Sequence, residues 1–516
     1  MQNEWLVNIC MASLFKTLRF PVAGLALIFI WTAPQPASAQ NTNSNDPAGS
    51  RAWAPGAIDQ AQKMRTHQDV DHGSQPTPAI IPRSEVDVDP SGKVATLQPG
   101  GPTFTALNPF FQNLGTNGRT CFTCHQPQNG WTVSAASVRQ RFDASAGADP
   151  IFRLIDGATC PTDDVSSLAA KGQSYKLLIE KGLIRIGLPL PAAAKLQFDV
   201  TKVDDPYHCT TLTSPTAGMV SVYRRPLPSA NLGFLSTFMW DGREPSLASQ
   251  SMDATLIHAQ ANAAPTPAQQ AQMVAFETGV FVAQSFDGQA HDLSDRGATG
   301  GPAALSVQKF FIGINDPLGM NPTGAPFDPN IFDLYKPWQT LRGGPDSDVE
   351  ARKSVARGEE VFNTTKISIT GVAGLNDDLN TPVIQGFCGT CHDAPNVGDH
   401  SVKAPLNIGI ADAGGKSPPA LDISGLPVFT LKCTQGPLAG NVYTVTDPGK
   451  ALISGLCKDI GRLKGPILRG LAARAPYFHN GSAATLLDAV NFYDQRFSIG
   501  FTAQQKTDLV NFLNTL

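Results

Sequence analysis

Apolar residues recur at helical spacing in several separated stretches of this chain, most clearly at its C-terminal end. Thr485-Leu486-Leu487-Asp488 has the form of a capping box, an N-cap hydroxyl answered by a carboxylate three residues on, and predicts a helix over 486–495. Thr502-Ala503-Gln504-Gln505 is a second such box, and the segment behind it carries Leu509, Val510, Phe512, Leu513 and Leu516 on its apolar side. Thr266 followed by Pro267 reads as an N-cap with proline at the first helical position, and Met273, Phe276 and Val280 keep helical spacing through 268–284. A shorter helix is expected at 134–141 and a charged amphipathic one at 348–362. No strand-rich segment competes, so the pattern predicts a mainly α fold. Abundant Gly (47) and Pro (41) add long irregular loops between short helices.

The N-terminus has a different pattern. Lys16 and Arg19 precede an apolar run over 22–31, and Ala37-Ser38-Ala39 follows. This is the order of a secretory signal peptide, expected over 1–39, with the periplasm as the destination. A membrane anchor is the alternative, but the run is short and Pro34 and Pro36 follow closely. No second stretch is apolar enough to span a bilayer, so no membrane span is expected in the mature chain. Residues 40–100, rich in Pro, Ser, Asp and Gln, read as an irregular arm, and the Gly/Pro-rich stretch 290–345 as the connection between two halves, 101–345 and 346–516. A formal net charge of −4 leaves no basic excess to neutralise phosphates, which excludes a nucleic-acid partner.

The cysteines carry the chemistry. Each half contains one Cys-x-x-Cys-His run, Cys121-Phe122-Thr123-Cys124-His125 and Cys388-Gly389-Thr390-Cys391-His392. Two thiols at this spacing can add to the two vinyl groups of one porphyrin, and the adjacent imidazole then serves as an iron ligand. The run marks c-type haem attachment, so two covalent haems are expected. A redox pair or half a zinc site would share the spacing, but zinc needs further Cys or His nearby and neither run has them. Cys10 falls in the leader. Cys160, Cys209, Cys433 and Cys457 remain, and export permits disulfides among them. Four cysteines allow three pairings; proximity favours Cys160–Cys209 and Cys433–Cys457, with a haem-ligand or redox role open for the second pair.

With these motifs the chain resembles the bacterial di-haem cytochrome c peroxidases and their relative MauG. The resemblance rests on Arg225-Pro226-Leu227-Pro228-Ser229-Ala230-Asn231 leading to Phe238-Met239-Trp240-Asp241-Gly242-Arg243, on Gln250, and on Leu463-Lys464-Gly465-Pro466-Ile467-Leu468-Arg469-Gly470 running into Ala475-Pro476-Tyr477-Phe478-His479-Asn480-Gly481-Ser482. It implies two cytochrome c-like haem domains, a first haem (Cys121, Cys124, His125) that reacts with hydrogen peroxide and a second (Cys388, Cys391, His392) that relays electrons. Trp240 would carry electrons between them, or serve as interface packing.

Departures from the family shape the expected mechanism. The His that caps the resting first haem is replaced by Arg141, so this iron is expected to be open. The usual catalytic Glu is replaced by Gln260, which cannot titrate, and His258 is the nearest titratable substitute, beside its alternative as an ordinary surface histidine. The Met that ligates the second haem is replaced by Tyr493, and MauG likewise has Tyr there. Tyr493 is therefore expected as an iron ligand, against a plain core aromatic. Arg225 and Arg474 fall at the family's calcium site, so calcium is not expected. The functional expectation is a peroxide-reactive di-haem oxidoreductase with Gln250, His258 and Gln260 about the first haem. Its reductant is a small redox protein or, in a MauG-like alternative, a side chain of a protein substrate. A non-catalytic electron carrier and an oxygen-dependent hydrocarbon-cleaving enzyme are the other classes, and nothing in the chain specifically calls for the latter.

Overall fold

The structure, a computed structural model, describes residues 77–343, 347–414 and 420–516. The expected leader and most of the expected arm lie outside the described residues. Ten α-helices are described: α1 (Ala135–Ser145), α2 (Leu168–Ser174), α3 (Lys176–Lys181), α4 (Leu247–Ile257), α5 (Pro267–Gly279), α6 (Pro302–Leu305), α7 (Ser347–Thr364), α8 (Ala451–Ser454), α9 (Leu486–Phe497) and α10 (Ala503–Asn514). The starts of the long ones follow local chemistry. The Thr266, Thr485 and Thr502 side chains accept from the backbone N–H groups of Gln269, Asp488 and Gln505, and each of those side chains answers the threonine's own N–H.

The expectation of a mainly α fold is corrected by the strands. Among the described residues helix accounts for 30% and strand for 18%, in five small antiparallel sheets. Their strands are short, and two of the ladders, Gly92–Leu97 with Phe281–Asp287 and Phe198–Asp204 with Val428–Cys433, join segments about two hundred residues apart. Ser84–Asp89 does alternate at period two, and it lies in the stretch read as irregular. It pairs with Gly92–Leu97, which pairs in turn with Phe281–Asp287, with His291–Asp292 at the far edge. The helix expected through residue 284 therefore stops at Gly279, and the chain turns directly into a central strand of this sheet.

A second sheet runs Phe198–Asp204, Val428–Cys433, Val442–Val445, so a strand from each half of the chain meets in one ladder. A third runs Ile184–Pro189, Ala217–Arg224, Thr211–Ser214. The buried faces of these two meet in a core of Phe198, Val200, Val220, Val222, Phe429 and Leu431. Disulfides Cys160–Cys209 and Cys433–Cys457, with Cα atoms 5.4 and 6.0 Å apart, consume four cysteines and leave those of the two Cys-x-x-Cys-His runs free.

The C-terminal core forms where α7 crosses α10. A Cβ on Gly358 of α7 would stand 2.0 Å from the Asp508 carbonyl oxygen, so the two backbones approach as only glycine allows. Arg357 and Ser354 both engage the Asp508 carboxylate across this crossing. Phe332, Phe362 and Phe512 pack edge-on or tilted beneath it, and Phe362 lies 6.2 Å from the His392 ring. Among the described residues no helix is long and apolar enough to cross a membrane.

Candidate functional site

The two Cys-x-x-Cys-His runs fold alike. Cys121–Thr123 and Cys388–Thr390 are single 3-10 turns. In each the threonine hydroxyl accepts from the N–H of the residue before the first cysteine, Thr120 to Thr123 Oγ1 at 3.0 Å and Phe387 to Thr390 Oγ1 at 2.9 Å. Each histidine then meets a backbone carbonyl six residues on. His125 Nδ1 lies 2.9 Å from Trp131 O, and His392 Nδ1 lies 2.6 Å from Gly398 O. A carbonyl can only accept, so both rings carry the proton on Nδ1 and keep an unprotonated Nε2, the state required of an iron ligand. Burial pushes both imidazoles below their ordinary value, His125 to about 4, which keeps them neutral.

Trp131 has φ +60° and is anchored at Nε1 by Thr96 Oγ1 at 2.9 Å. Strand Gly92–Leu97 thereby holds the carbonyl that orients His125. Phe110, Phe122 and Phe276 complete this support.

Each run opens on a large cavity, about 1360 Å³ beside His125 and about 1680 Å³ beside His392, counting space open to solvent. The four thiols sit on these largely apolar walls, and burial raises all of them, Cys388 and Cys391 to about 12. A buried neutral thiol pair is poorly suited to a thiolate metal site. It suits an apolar macrocycle joined through carbon, so the residues present fit one c-type haem in each cavity.

Arg225, Pro226, Leu227 and Trp240 line both cavities. Trp240 is buried, donates from Nε1 to Arg225 O at 2.8 Å and meets the His479 ring edge-on at 6.1 Å. Behind it Arg224 is clamped between Asp241 at 2.5 Å and Asp447 at 2.7 Å. Burial alone would raise both carboxyls, but the guanidinium outweighs it and holds them below their ordinary range.

The other residues singled out from the sequence fall as follows. Gln250 on α4 and His258 at its C-cap line the first cavity. Gln260 is exposed with φ +53° and does not reach the cavity wall; its side-chain oxygen accepts from Asn117 Nδ2 at 3.2 Å. Tyr493 on α9 is half-buried on the wall of the second cavity, with Phe478 and Phe497 around it, and burial pushes its hydroxyl up. Arg141 forms a paired bridge to Asp149 and donates to Thr123 O at 2.8 Å, bracing the first haem turn from behind. The Arg225 guanidinium donates to three carbonyls, those of Lys181, Val133 and Arg474 at 2.9, 2.7 and 2.8 Å. Arg474 is likewise committed to a carbonyl, that of Ile467 at 2.5 Å.

Sequence reasoning missed Asp156, Arg119 and Glu277, all on the first cavity wall. His258 Nδ1 lies 2.6 Å from Asp156 Oδ2, and Arg119 Nη1 donates to Asp156 Oδ1 at 2.5 Å. Glu277 on α5 is buried, its Oε2 has no hydrogen-bond partner, and burial pushes its carboxyl up to about 8. One signal was present: Glu277 stands four residues after Met273 on the helix's apolar side, where a charge has no structural reason to be. Asp156 lies in a loop without any motif.

No family model matches the chain. Among curated proteins it is 31% identical over 141 residues to cytochrome-c peroxidase IdrP2 of Denitromonas iodatirespirans, covering 26% of this chain and 36% of that protein. It is 29% identical over 143 residues to cytochrome-c peroxidase IdrP1 of Pseudomonas sp. (strain SCT), covering 25% and 36%. The matches thus span about a third of those relatives' length. Among solved structures it overlaps a MauG-like protein associated with microbial copper homeostasis over 60% of this chain and 76% of that one, at 18% identity and a TM-score of 0.30. A likeness that loose carries no argument about fold or function. The motif-lined cavities and the peroxidase relatives define a haem-binding protein of the c type. Over the matched segments the chain is similar to bacterial cytochrome-c peroxidases.

Proposed function

We propose that the chain is a periplasmic di-haem oxidoreductase of the cytochrome c peroxidase type, with hydrogen peroxide as the substrate of the first cavity. The observation that carries this reading is the unequal lining of two cavities built on the same turn. The first brings an imidazole and two acids into its wall, His258, Asp156 and Glu277, while the second brings the phenol of Tyr493.

In this reading residues 101–345 hold the peroxide-reactive haem through Cys121, Cys124 and His125. Residues 346–516 hold the electron-transfer haem through Cys388, Cys391 and His392, with Tyr493 as its second iron ligand. When bound, the haems supply the iron chemistry that reduces the peroxide O–O bond and passes oxidising equivalents onward. His258 Nε2 takes a proton from the peroxide and returns it to the departing oxygen, which leaves as water. One peroxide and two protons become two waters, with two electrons drawn from a small redox protein. Gln250 orients the peroxide from α4, and Trp240, on the wall common to both cavities, carries the electrons across.

Arg225, ringed by three carbonyl oxygens, supplies a fixed cation at the place where the family binds calcium, so no calcium is required. Tyr493 favours one second reading, MauG-like oxidation of a protein substrate, in which the electrons come from that protein's side chains. The test is peroxide-dependent oxidation of a reduced c-type cytochrome by the purified holoprotein. Turnover that falls about 10²-fold in His258→Ala and is interrupted in Trp240→Phe is expected. Wild-type turnover in His258→Ala would remove the proposed proton carrier, and no reaction with peroxide at all would remove the proposal.

A further inference from the structure

The ring of His258 is held more firmly than a loop histidine needs to be. It caps α4, yet contacts to its ring, its backbone and the next residue tie it to segments beside the first haem turn. Asp156 Oδ2 lies 2.6 Å from its Nδ1, and Asn117 Nδ2 donates to its backbone oxygen at 2.8 Å. The next residue, Ala259, accepts from Thr116 N at 3.1 Å, and Gly115 passes so close that a Cβ there would stand 1.8 Å from the Ala259 oxygen.

Asp156 is itself immobilised. It is 3% exposed, and Arg119, 4% exposed, binds its other oxygen at 2.5 Å. Arg119 also donates to Pro150 O at 2.8 Å and Ile151 O at 2.6 Å, in the loop that presents Asp156, and to His258 O at 3.4 Å. Burial alone would raise the Asp156 carboxyl, but Arg119 and His258 outweigh it and keep the group charged. Arg119, Asp156 and His258 thus form a buried relay whose last ring, with 29% of its side chain exposed, lies on the first cavity wall.

We infer that Asp156, backed by Arg119, is a positioning residue that fixes the ring orientation and Nδ1–H tautomer of His258, leaving Nε2 as the proton-accepting atom of the first cavity. This rests on the proposed role of His258 and adds what makes that role workable. A carboxylate at Nδ1 accepts only from an N–H, so the lone pair must lie on Nε2, and the same carboxylate stabilises the ring once Nε2 is protonated. A histidine supported in this way can do the proton transfer that Gln260, exposed and unable to titrate, cannot. Besides Asp156 and Arg119, the charged or titratable groups on the same cavity wall are Cys121, Cys124, His125, Arg224, Arg225, Arg243 and Glu277, and Arg153 donates to Asn117 O at 2.8 Å.

The test uses the haem-loaded full chain and reads peroxide-dependent oxidation of a reduced c-type cytochrome across pH. Asp156→Asn is expected to lower kcat/KM about 10²-fold or more and to move the acid limb of the pH profile to lower pH. Asp156→Glu, which keeps the charge opposite Arg119 but displaces it by one methylene, is expected to recover about tenfold of that loss and the wild-type profile. In the His258→Ala background, Asp156→Asn is expected to cost less than about threefold, because it acts through that ring. An equal loss in both backgrounds, or an unmoved pH profile in Asp156→Asn, overturns the inference. Should Asp156→Asn fail to retain haem, Asp156→Glu decides: a rate about tenfold below wild type with an unshifted profile supports positioning, and a fully wild-type rate overturns it. Wild-type rates in His258→Ala overturn the role of His258 itself, whereas additive losses from the two single variants overturn the role of Asp156 alone.

Discussion

Glu277 gives the sharpest test of the first cavity's electrostatics. Its carboxyl is 4% exposed and one oxygen has no partner, so the ionised form is poorly solvated and burial raises it from 4.5 to about 8. The folded state therefore holds this proton when the unfolded chain has already lost it. Below about pH 4.5 both states are protonated and nothing is lost. Between that pH and about 8 stability falls by about 1.4 kcal/mol per pH unit, reaching at most about 5 kcal/mol at the alkaline end. Glu277→Gln keeps the shape and the contact to Ser229 and cannot ionise. Urea unfolding of wild type and variant, followed at the Soret band and by far-UV circular dichroism, should give equal stabilities near pH 4.5. The variant should gain several kcal/mol by pH 8. Curves that stay parallel from pH 5 to pH 8 would refute the assignment of a buried protonated acid.

Three further outcomes follow from other parts of the structure. Arg224→Leu removes the buried counter-charge shared by Asp241 and Asp447, leaving Asp241 only Arg243, and should destabilise the holoprotein by about 3–5 kcal/mol, read as a lower urea midpoint. Gly358→Ala forces α7 away from the Asp508 carbonyl and should cost about 1–3 kcal/mol by the same measurement. Tyr493→Phe removes the oxygen proposed to ligate the second iron, so the reduction potential of that haem should rise in a redox titration; an unchanged potential would return Tyr493 to a packing role.

What was legible in the sequence was what is local in the chain. The Cys-x-x-Cys-His runs and the Thr485 and Thr502 capping boxes act over three or four residues, so their geometry is written in consecutive letters. The strands are only two to eight residues long, and some have remote partners: Phe198–Asp204 pairs with Val428–Cys433, more than two hundred residues on. The cavity wall divides in the same way. Gln250 was reachable through the family resemblance, and His258 because it stands two residues before the position of the family's Glu. Asp156 and Arg119 reach His258 only through tertiary folding. Gln260 was placed by counting along the chain, and its left-handed backbone turns it out to solvent, where it tethers Asn117.

The central claim is that the two haem sites are unequal and that the first is the one that meets peroxide. Optical and EPR spectra of the purified diferric protein, recorded before and after one equivalent of hydrogen peroxide, test it directly. The account predicts one high-spin site with an open iron position and one low-spin site before addition, and loss of the high-spin signal within the mixing time after it. Two low-spin sites that ignore peroxide, with His258 as a second ligand to the first iron, would contradict it.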